Sequence, residues 1–177
     1  MTGVAEGVGV IFKPSASRID RLGEWYVARY EPLLRFAFFV CRERELAEDL
    51  VQESFVRLYR AGRRAEEEGL ESYAKRAIVN LSRSRWRRMT HERGAMPRLI
   101  HHPSHDATAT IDVRDAVWQA VGALSPQQRA CVALRFYEDM EESRIASTLG
   151  VSVGSVKTQL HRAMQKLRAS LGEGEER

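Results

Sequence analysis

Residues 140–171 decide the fold of this chain, and they have the sequence MEESRIASTLGVSVGSVKTQLHRAMQKLRASL. A short helical pattern from Met140 to Leu149 is followed by Gly150, the residue type that most easily ends a helix in the left-handed conformation. Ser152 then precedes a longer apolar pattern and is a suitable N-cap. The spacing therefore predicts a short helix, a tight turn and a longer helix, which together form a helix-turn-helix.

The longer helix of this motif has an apolar side and a polar side. The residues expected on the buried side recur at intervals of three and four, and they are Val153, Val156, Leu160, Ala163, Leu167 and Leu171. The outer or flanking positions hold Ser155, Lys157, Thr158, Gln159, His161 and Arg162, and no Asp or Glu occurs between residues 151 and 171. A basic helix with a capped N-terminus can enter the major groove of DNA and bind phosphate. The alternative is the solvated face of a structural helix bundle.

Two further helices are expected upstream of this motif. Ser125-Pro-Gln-Gln128 has the residues of a capping box, with proline at the first helical position. The helix that follows is expected to bury Val132, Leu134 and Phe136 and to stop near Tyr137. The apolar residues of the helix before it are Val113, Ala116, Val117, Val121 and Leu124.

The N-terminal part of the chain is also expected to be helical. Helical periodicity begins at Ile19, and Pro32 should break or kink this first helix. A second helix fits Glu45–Ala61, and a third fits Ser72–Arg88. Because no strand pattern appears anywhere, the fold class is predicted to be all-α.

Helical periodicity is lost from Met89 to Thr110, where Gly94, Pro97 and Pro103 lie among polar residues. This segment is interpreted as a flexible linker between two small helical domains, 19–90 and 111–172, with 91–110 as the linker and 1–18 and 173–177 as tails. Fully extended, the chain from Met89 to Ile111 reaches about 70–80 Å. Two turns of DNA span about 70 Å, so the two domains could bind sites two turns apart.

Charge is distributed unevenly in this chain of 177 residues, although 28 Lys and Arg against 24 Asp and Glu give a net charge of only +4. The third helix is strongly basic, with Lys75, Arg76, Arg83, Arg85, Arg87 and Arg88. The second helix is acidic near its start, with Glu45, Glu48, Asp49 and Glu53. Two basic helices and one acidic helix indicate nucleic-acid contacts together with a protein partner.

Several other classes of site are not expected. Cys41 and Cys131 lack metal-ligand spacing and are interpreted as small buried hydrophobes. His101, His102 and His105 lie in the linker without a convincing fourth ligand, so no metal or other cofactor is expected. No catalytic constellation is evident, so the protein is not expected to be an enzyme. Without a signal peptide or a membrane-spanning apolar run, it is expected to be cytoplasmic.

The motifs together resemble a known family. Leu124-Ser-Pro-Gln-Gln-Arg129, Leu134-Arg-Phe-Tyr-Glu-Asp139 and Gly150-Val-Ser-Val-Gly-Ser-Val-Lys-Thr158 resemble region 4 of the extracytoplasmic-function (ECF) sigma factors of bacterial RNA polymerase. Ala47-Glu-Asp-Leu-Val-Gln-Glu53 resembles their region 2.2. Ser72-Tyr-Ala-Lys-Arg-Ala-Ile-Val-Asn80, with the arginines that follow it, resembles regions 2.3 and 2.4. The resemblance extends from about Leu22 to Leu171.

This resemblance implies a transcription initiation factor that binds core RNA polymerase at its clamp helices and flap and directs it to promoter DNA. The residues implied for polymerase binding are Asp49, Gln52, Glu53, Arg57 and Leu58. Those implied for recognition and melting of the −10 element are Asn80, which would hold a flipped base, with Lys75, Arg76, Arg83, Arg85, Trp86, Arg87 and Arg88. Those implied for the −35 element are Ser155, Lys157, Thr158, His161 and Arg162.

The resemblance also implies an anti-sigma factor as a partner. The sequence departs from the family pattern at two positions. Arg144 stands where an acidic residue is usual, and Tyr73 replaces a common Trp.

Two alternatives remain open from the residues. The first is a stand-alone helix-turn-helix regulator with an N-terminal interaction domain, and the second is a helical nucleic-acid enzyme. A stand-alone regulator would bind its operator tightly without core polymerase, whereas the second alternative lacks evident catalytic residues.

Overall fold

The computed structural model describes residues 17–93 and 113–172, and both ranges are helical, with no strand in either. The N-terminal half contains α1 (Arg18–Cys41), α2 (Arg44–Ala61), α3 (Arg63–Glu68) and α4 (Leu70–Arg93). The C-terminal half contains α5 (Val113–Gly122), α6 (Pro126–Val132), α7 (Glu142–Leu149) and α8 (Val153–Gly172). A π-helical turn, Ala133–Tyr137, follows α6 directly. The prediction of an all-α fold is confirmed.

Helix α1 begins at a capping box that the sequence analysis did not identify. The Ser17 hydroxyl accepts a hydrogen bond from the Asp20 N–H, and the Asp20 carboxylate accepts one from the Ser17 N–H. These bonds from Ser17 hold the pKa of Asp20 below its ordinary value. Pro32 lies inside α1, so it does not break the helix, which was one of the two predicted outcomes. Pro32 and Ala28 are both exposed, so water can bind the Ala28 carbonyl that proline leaves without an N–H donor.

Helices α1, α2 and α4 pack against one another and enclose the core of the N-terminal half. Leu33, Val40, Val51, Leu58 and Ile78 are fully buried there. The short helix α3 was missed, because its sequence RRAEEE has no apolar stripe and, among the α3 residues whose burial is described, Ala65 alone is buried. Helix α4 also begins two residues earlier and ends five residues later than the predicted Ser72–Arg88.

The predicted helix signals of the C-terminal half are confirmed. The Ser125 hydroxyl accepts from the Gln128 N–H at 3.3 Å, and the Gln128 side chain accepts from the Ser125 N–H at 2.9 Å. Gly150 has φ 66°, as the left-handed end of α7 requires. The Ser152 hydroxyl accepts from the Ser155 N–H at 3.1 Å and caps α8.

Three residues predicted to be buried in this half are exposed. Phe136 is 64% exposed because it lies in the π-helical turn, closed by the Glu138 N–H donating to the Ala133 carbonyl. The wider turn changes the spacing of side chains around the helix, so they no longer lie on the side of the helix where a period of 3.6 residues would place them. Val153 and Leu171 lie at the two ends of α8 and are also exposed, since few neighbouring residues cover a helix end.

The two halves pack against each other and share one hydrophobic core cluster. Helix α1 contacts α6, and α4 contacts both α6 and α7. Both cysteines are free thiols, with Cys131 buried and Cys41 half-buried. The three linker histidines lie outside the described residues.

Candidate nucleic-acid interface

Helix α8 presents a polar, basic side to solvent. Its packed side consists of Val156, Leu160 and Ala163, all of them buried against the C-terminal half. The predicted contact residues Lys157, Thr158, His161 and Arg162 are exposed, whereas Ser155 is half-buried. The structure therefore brings the four exposed residues together on the outer side of the first turns of a capped helix.

Two of these side chains already interact within the C-terminal half. Lys157 Nζ lies 3.8 Å from a Glu142 carboxylate oxygen on α7, and both side chains are accessible to solvent. The Thr158 hydroxyl donates to the Gly154 carbonyl at 2.9 Å. An exposed ion pair of this kind is weak, so Lys157 can exchange Glu142 for a phosphate at little cost.

Helix α4 presents a second polar, basic surface. Asn80, Arg87 and Arg88 are exposed, and their spacing of seven and eight residues places them on one side of the helix. The residues just before Asn80 are buried, so the backbone that supports its amide is firmly packed. Trp86 is half-buried. These residues form a row that a single nucleic-acid strand can follow.

Three other basic residues predicted on this surface are turned toward the C-terminal half. Lys75 is 3% exposed and donates to the carboxylates of Glu71 and Glu138. Arg76 donates to the Thr148 carbonyl, and Arg83 donates to the Gln127 side chain. In this arrangement of the two halves, Lys75 is not accessible to a phosphate.

The acidic part of α2 lies beside Arg85 of α4. A shallow groove of about 410 Å³ is lined by Asp49, Leu50, Gln52, Glu53, Val56, Leu81 and Arg85. Arg85 was assigned to DNA from the sequence, but the structure places it next to the residues assigned to a protein partner. One open groove thus contains exposed acids, an amide, an exposed valine and one arginine.

Arg57 and Leu58, also predicted to bind the partner, interact within the N-terminal half instead. Arg57 donates to Glu53 at 2.9 Å, one helical turn away, and both side chains remain accessible. Leu58 is 1% exposed, so its side chain packs in the core and contributes to the stability of α2. A direct contact between the Leu58 side chain and a partner is incompatible with this packing.

Sequence reasoning missed the residues that join the two halves. Glu138, Gln127 and Arg129 all contact the N-terminal half, although each is separated from its contact by more than forty residues. No local pattern distinguishes such residues from ordinary surface residues, because their contacts depend on tertiary packing.

Within residues 17–93 and 113–172, no group of His, Cys, Asp and Glu is arranged to bind a metal ion. None of the helices described is long and apolar enough to cross a membrane.

Comparison with known proteins identifies both halves. The family model for Sigma-70 region 2 matches residues 26–92, and the model for Sigma-70, region 4 matches residues 114–167. The RNA polymerase sigma-E factor of Streptomyces coelicolor is 33% identical over 149 residues, which cover 84% of each chain. The ECF RNA polymerase sigma factor SigM of Mycobacterium tuberculosis is 33% identical over 147 residues, which cover 81% of this chain and 73% of that protein.

A solved structure is similar in fold. The sigma factor RpoE of Bartonella quintana, crystallised with the anti-sigma factor NepR, aligns with a TM-score of 0.62 at 20% identity. The alignment covers 89% of this chain and 99% of that one. Because the matches to regions 2 and 4 agree with sigma-factor relatives aligned along most of the sequence, the chain belongs to the ECF group of the sigma-70 family and is a promoter-specific transcription initiation factor.

Proposed function

We propose that this sigma factor recognises the −35 element with α8, opens and recognises the −10 element with α4, and binds core RNA polymerase through the groove beside α2. The observation that supports this division most directly is the separation of the exposed surfaces. Helices α4 and α8 each have an exposed basic side, whereas the exposed acids of α2 border a different groove.

At the −35 element, the outer side of α8 would lie in the major groove. Arg162 and Lys157 can donate to guanine, and Thr158 can contact either a base or a phosphate. Ser155 lies in the first turn, where the N-terminus of the helix favours a phosphate. His161 is exposed beside these residues and completes the contact surface.

At the −10 element, Asn80 would hold a base that has left the stack. Its amide offers both donors and an acceptor, which can bind the pairing edge of one base. Arg87 and Arg88 follow Asn80 on the exposed side of α4 and would bind phosphates of the same strand. Trp86 is half-buried, so we assign it to packing beneath this surface, with only its exposed part available to the DNA.

Polymerase would bind at the groove of Asp49, Gln52, Glu53 and Arg85. Charged groups at the rim of an interface orient the two proteins and raise their rate of association. Val56 adds an apolar contact in the groove. By this proposal Arg85 acts at the boundary between polymerase and DNA. Arg57 would act through Glu53, which it orients.

The protein would act as a binding subunit without catalysing a reaction, in the cytoplasm where polymerase and promoter DNA occur. The related RpoE structure contains an anti-sigma factor, and we propose that a protein of that class also binds this chain.

Run-off transcription tests the proposal. The purified protein is added to core RNA polymerase on a library of promoter fragments, and the transcripts are sequenced. We expect transcripts that start at a fixed distance from two shared sequence elements. A duplex-binding assay without polymerase is the control. Tight, specific binding without polymerase, together with no transcription, would instead support a stand-alone regulator.

A further inference from the structure

One acidic residue of α7 lies beside the outer side of α8. A Glu142 carboxylate oxygen is 3.8 Å from Lys157 Nζ, and the two side chains are 36% and 66% exposed. Helix α8 has no Asp or Glu from residue 151 to residue 171, so an acid that pairs with Lys157 has to come from another helix. Lys157, which is assigned to −35 DNA, therefore has a carboxylate of the neighbouring helix next to its ammonium group.

The positions of these two residues are set by the helix-turn-helix itself. The buried side of α7 packs against the buried side of α8. The turn between the helices contains Gly150 in the left-handed conformation, and the Val151 N–H donates to the Ala146 carbonyl at 3.0 Å. Because the two helices are fixed relative to each other, Glu142 stays within reach of Lys157 however region 4 is placed on other molecules.

The lysine ammonium can interact with Glu142 and with a base at the same time. It has three N–H donors and no acceptor. One donor can remain directed at Glu142 while the other two reach the O6 and N7 acceptors that guanine presents in the major groove. Recognition of a base by Lys157 is thus compatible with the ion pair.

A phosphate, in contrast, competes with Glu142 for Lys157. Nonspecific binding to DNA depends almost entirely on contacts to phosphates. A Lys157 side chain that turns to a phosphate leaves the Glu142 carboxylate without its cation, close to a negatively charged strand. An exposed ion pair shifts an equilibrium by up to about fivefold. The resulting penalty is modest, and it falls on DNA that offers Lys157 no base contact.

We propose that Glu142 is a specificity-determining residue for the −35 element and that it acts by positioning Lys157. It keeps Lys157 directed at base edges and lowers the affinity of region 4 for DNA of the wrong sequence. The proposal rests on the proposed function, since it assumes that α8 recognises the −35 element. Specific interfaces commonly combine such a repulsive element with attractive contacts.

Binding of holoenzyme to two DNAs tests the proposal. The DNAs are a promoter fragment selected by run-off transcription and the same fragment with its −35 element scrambled. Affinity is measured over a range of salt concentrations for the wild type, Glu142→Gln, Lys157→Ala and the double variant. Glu141→Gln is the matched control, because it removes the same charge one residue away, where the side chain makes no capping hydrogen bond.

We expect Glu142→Gln to bind the scrambled DNA about three- to fivefold more tightly than the wild type, and the promoter within about twofold of it. Because Lys157 then binds a phosphate, the slope of log affinity against log salt concentration on the scrambled DNA should steepen by about one. Glu141→Gln should show neither change. The double variant should behave as Lys157→Ala does. Loosened packing of α7 would not steepen the salt dependence, so this readout separates positioning from stability.

Three results would overturn the proposal while the wild type still prefers the promoter. They are unchanged affinity of Glu142→Gln for the scrambled DNA, an equal rise in affinity for Glu141→Gln, and a rise that persists in the absence of Lys157. Failure of the proposed function gives a different result. If the wild type binds the two DNAs equally, α8 does not recognise a −35 element, and the role of Glu142 is excluded with it.

Discussion

Asn80 illustrates how a single polar residue can be assigned a role by its neighbours. Ala77, Ile78 and Val79 are buried directly before it, while the Asn80 side chain is exposed. Its amide contributes little to the core, so its replacement leaves the fold intact. The same position places it in line with Arg87 and Arg88, next to the path proposed for the opened strand.

Asn80→Ala should therefore impair promoter opening more than promoter binding. Loss of one or two hydrogen bonds to a held-out base costs about 1–2 kcal/mol, so we expect about a tenfold smaller fraction of open complex. Permanganate footprinting of unpaired thymines measures this fraction, and gel shift measures closed-complex binding. Ser84→Ala, on the same side of α4, is the matched control. Normal opening with an unchanged −10 preference would contradict the assignment.

Arg162 permits a similar test at the −35 element. Arg162→Ala should cost about 1–3 kcal/mol in holoenzyme affinity for a matched promoter if the guanidinium binds a guanine through two hydrogen bonds. Arg168→Ala removes another exposed arginine of α8, farther from the capped end, and should weaken binding equally on all sequences. The measurement compares matched DNA with DNA whose −35 element is scrambled. Equal losses on both DNAs for Arg162→Ala would mean that Arg162 contacts only phosphate.

At the scale of helices, α2 combines a buried structural side with the side proposed to bind polymerase. Leu50, Val51 and Leu58 are buried, whereas Asp49 and Gln52 are exposed at the groove. Substitutions at the two exposed positions can therefore separate polymerase binding from folding.

Asp49→Ala combined with Gln52→Ala should abolish transcription and leave helicity unchanged. Truncating one partner of a desolvated polar pair costs about 2–5 kcal/mol, and 2 kcal/mol already weakens binding about 30-fold. Pull-down of core polymerase and circular dichroism measure binding and folding. The control is Glu24→Ala with Glu31→Ala, which removes two exposed acids from α1. Unimpaired binding would place the docking surface elsewhere, and loss of helicity would show that the two residues are structural.

The elements differ in how well the sequence predicts them. The start of α6 was predicted correctly because Ser125 and Gln128 make the local hydrogen bonds of a capping box. The turn between α7 and α8 was predicted correctly because Gly150 readily adopts the left-handed conformation and Ser152 caps α8 through a local hydrogen bond. Phe136 was placed wrongly, since the π-helical turn changes the side-chain period without a distinctive sequence.

At the scale of the whole molecule, the sequence predicts two helical regions but not their contact. Lys75 and Arg76 match the family's −10 motif by residue type, and this match is independent of how the two halves pack. Their partners Glu138 and Thr148 are far away in the sequence, so only the folded structure brings the two sets of residues together. The candidate DNA surface was thus predictable by residue type, whereas the part of it covered by region 4 was not.

The two thiols give the folded molecule a predictable response to alkaline pH. Burial raises the pKa of Cys131 from 9.0 to about 11. Burial also raises the pKa of Cys41 from 9.0 to about 11, against smaller opposing effects from the Glu43 backbone and the Arg129 charge. The folded state therefore favours the neutral thiols, while the unfolded chain ionises near pH 9.

The contribution of the neutral thiols to the free energy of unfolding is therefore fully present below pH 9. This contribution is lost as the pH rises through about 11. Each thiol should lower the free energy of unfolding by about 1 kcal/mol between about pH 8 and about pH 10. Urea denaturation at the two pH values measures this loss for the wild type and for Cys41→Ala and Cys131→Ala. Each variant should lose about 1 kcal/mol less than the wild type, and any cavity cancels because only the change with pH is compared. If both variants respond to pH as the wild type does, the two thiols are not protected from ionisation in the folded protein.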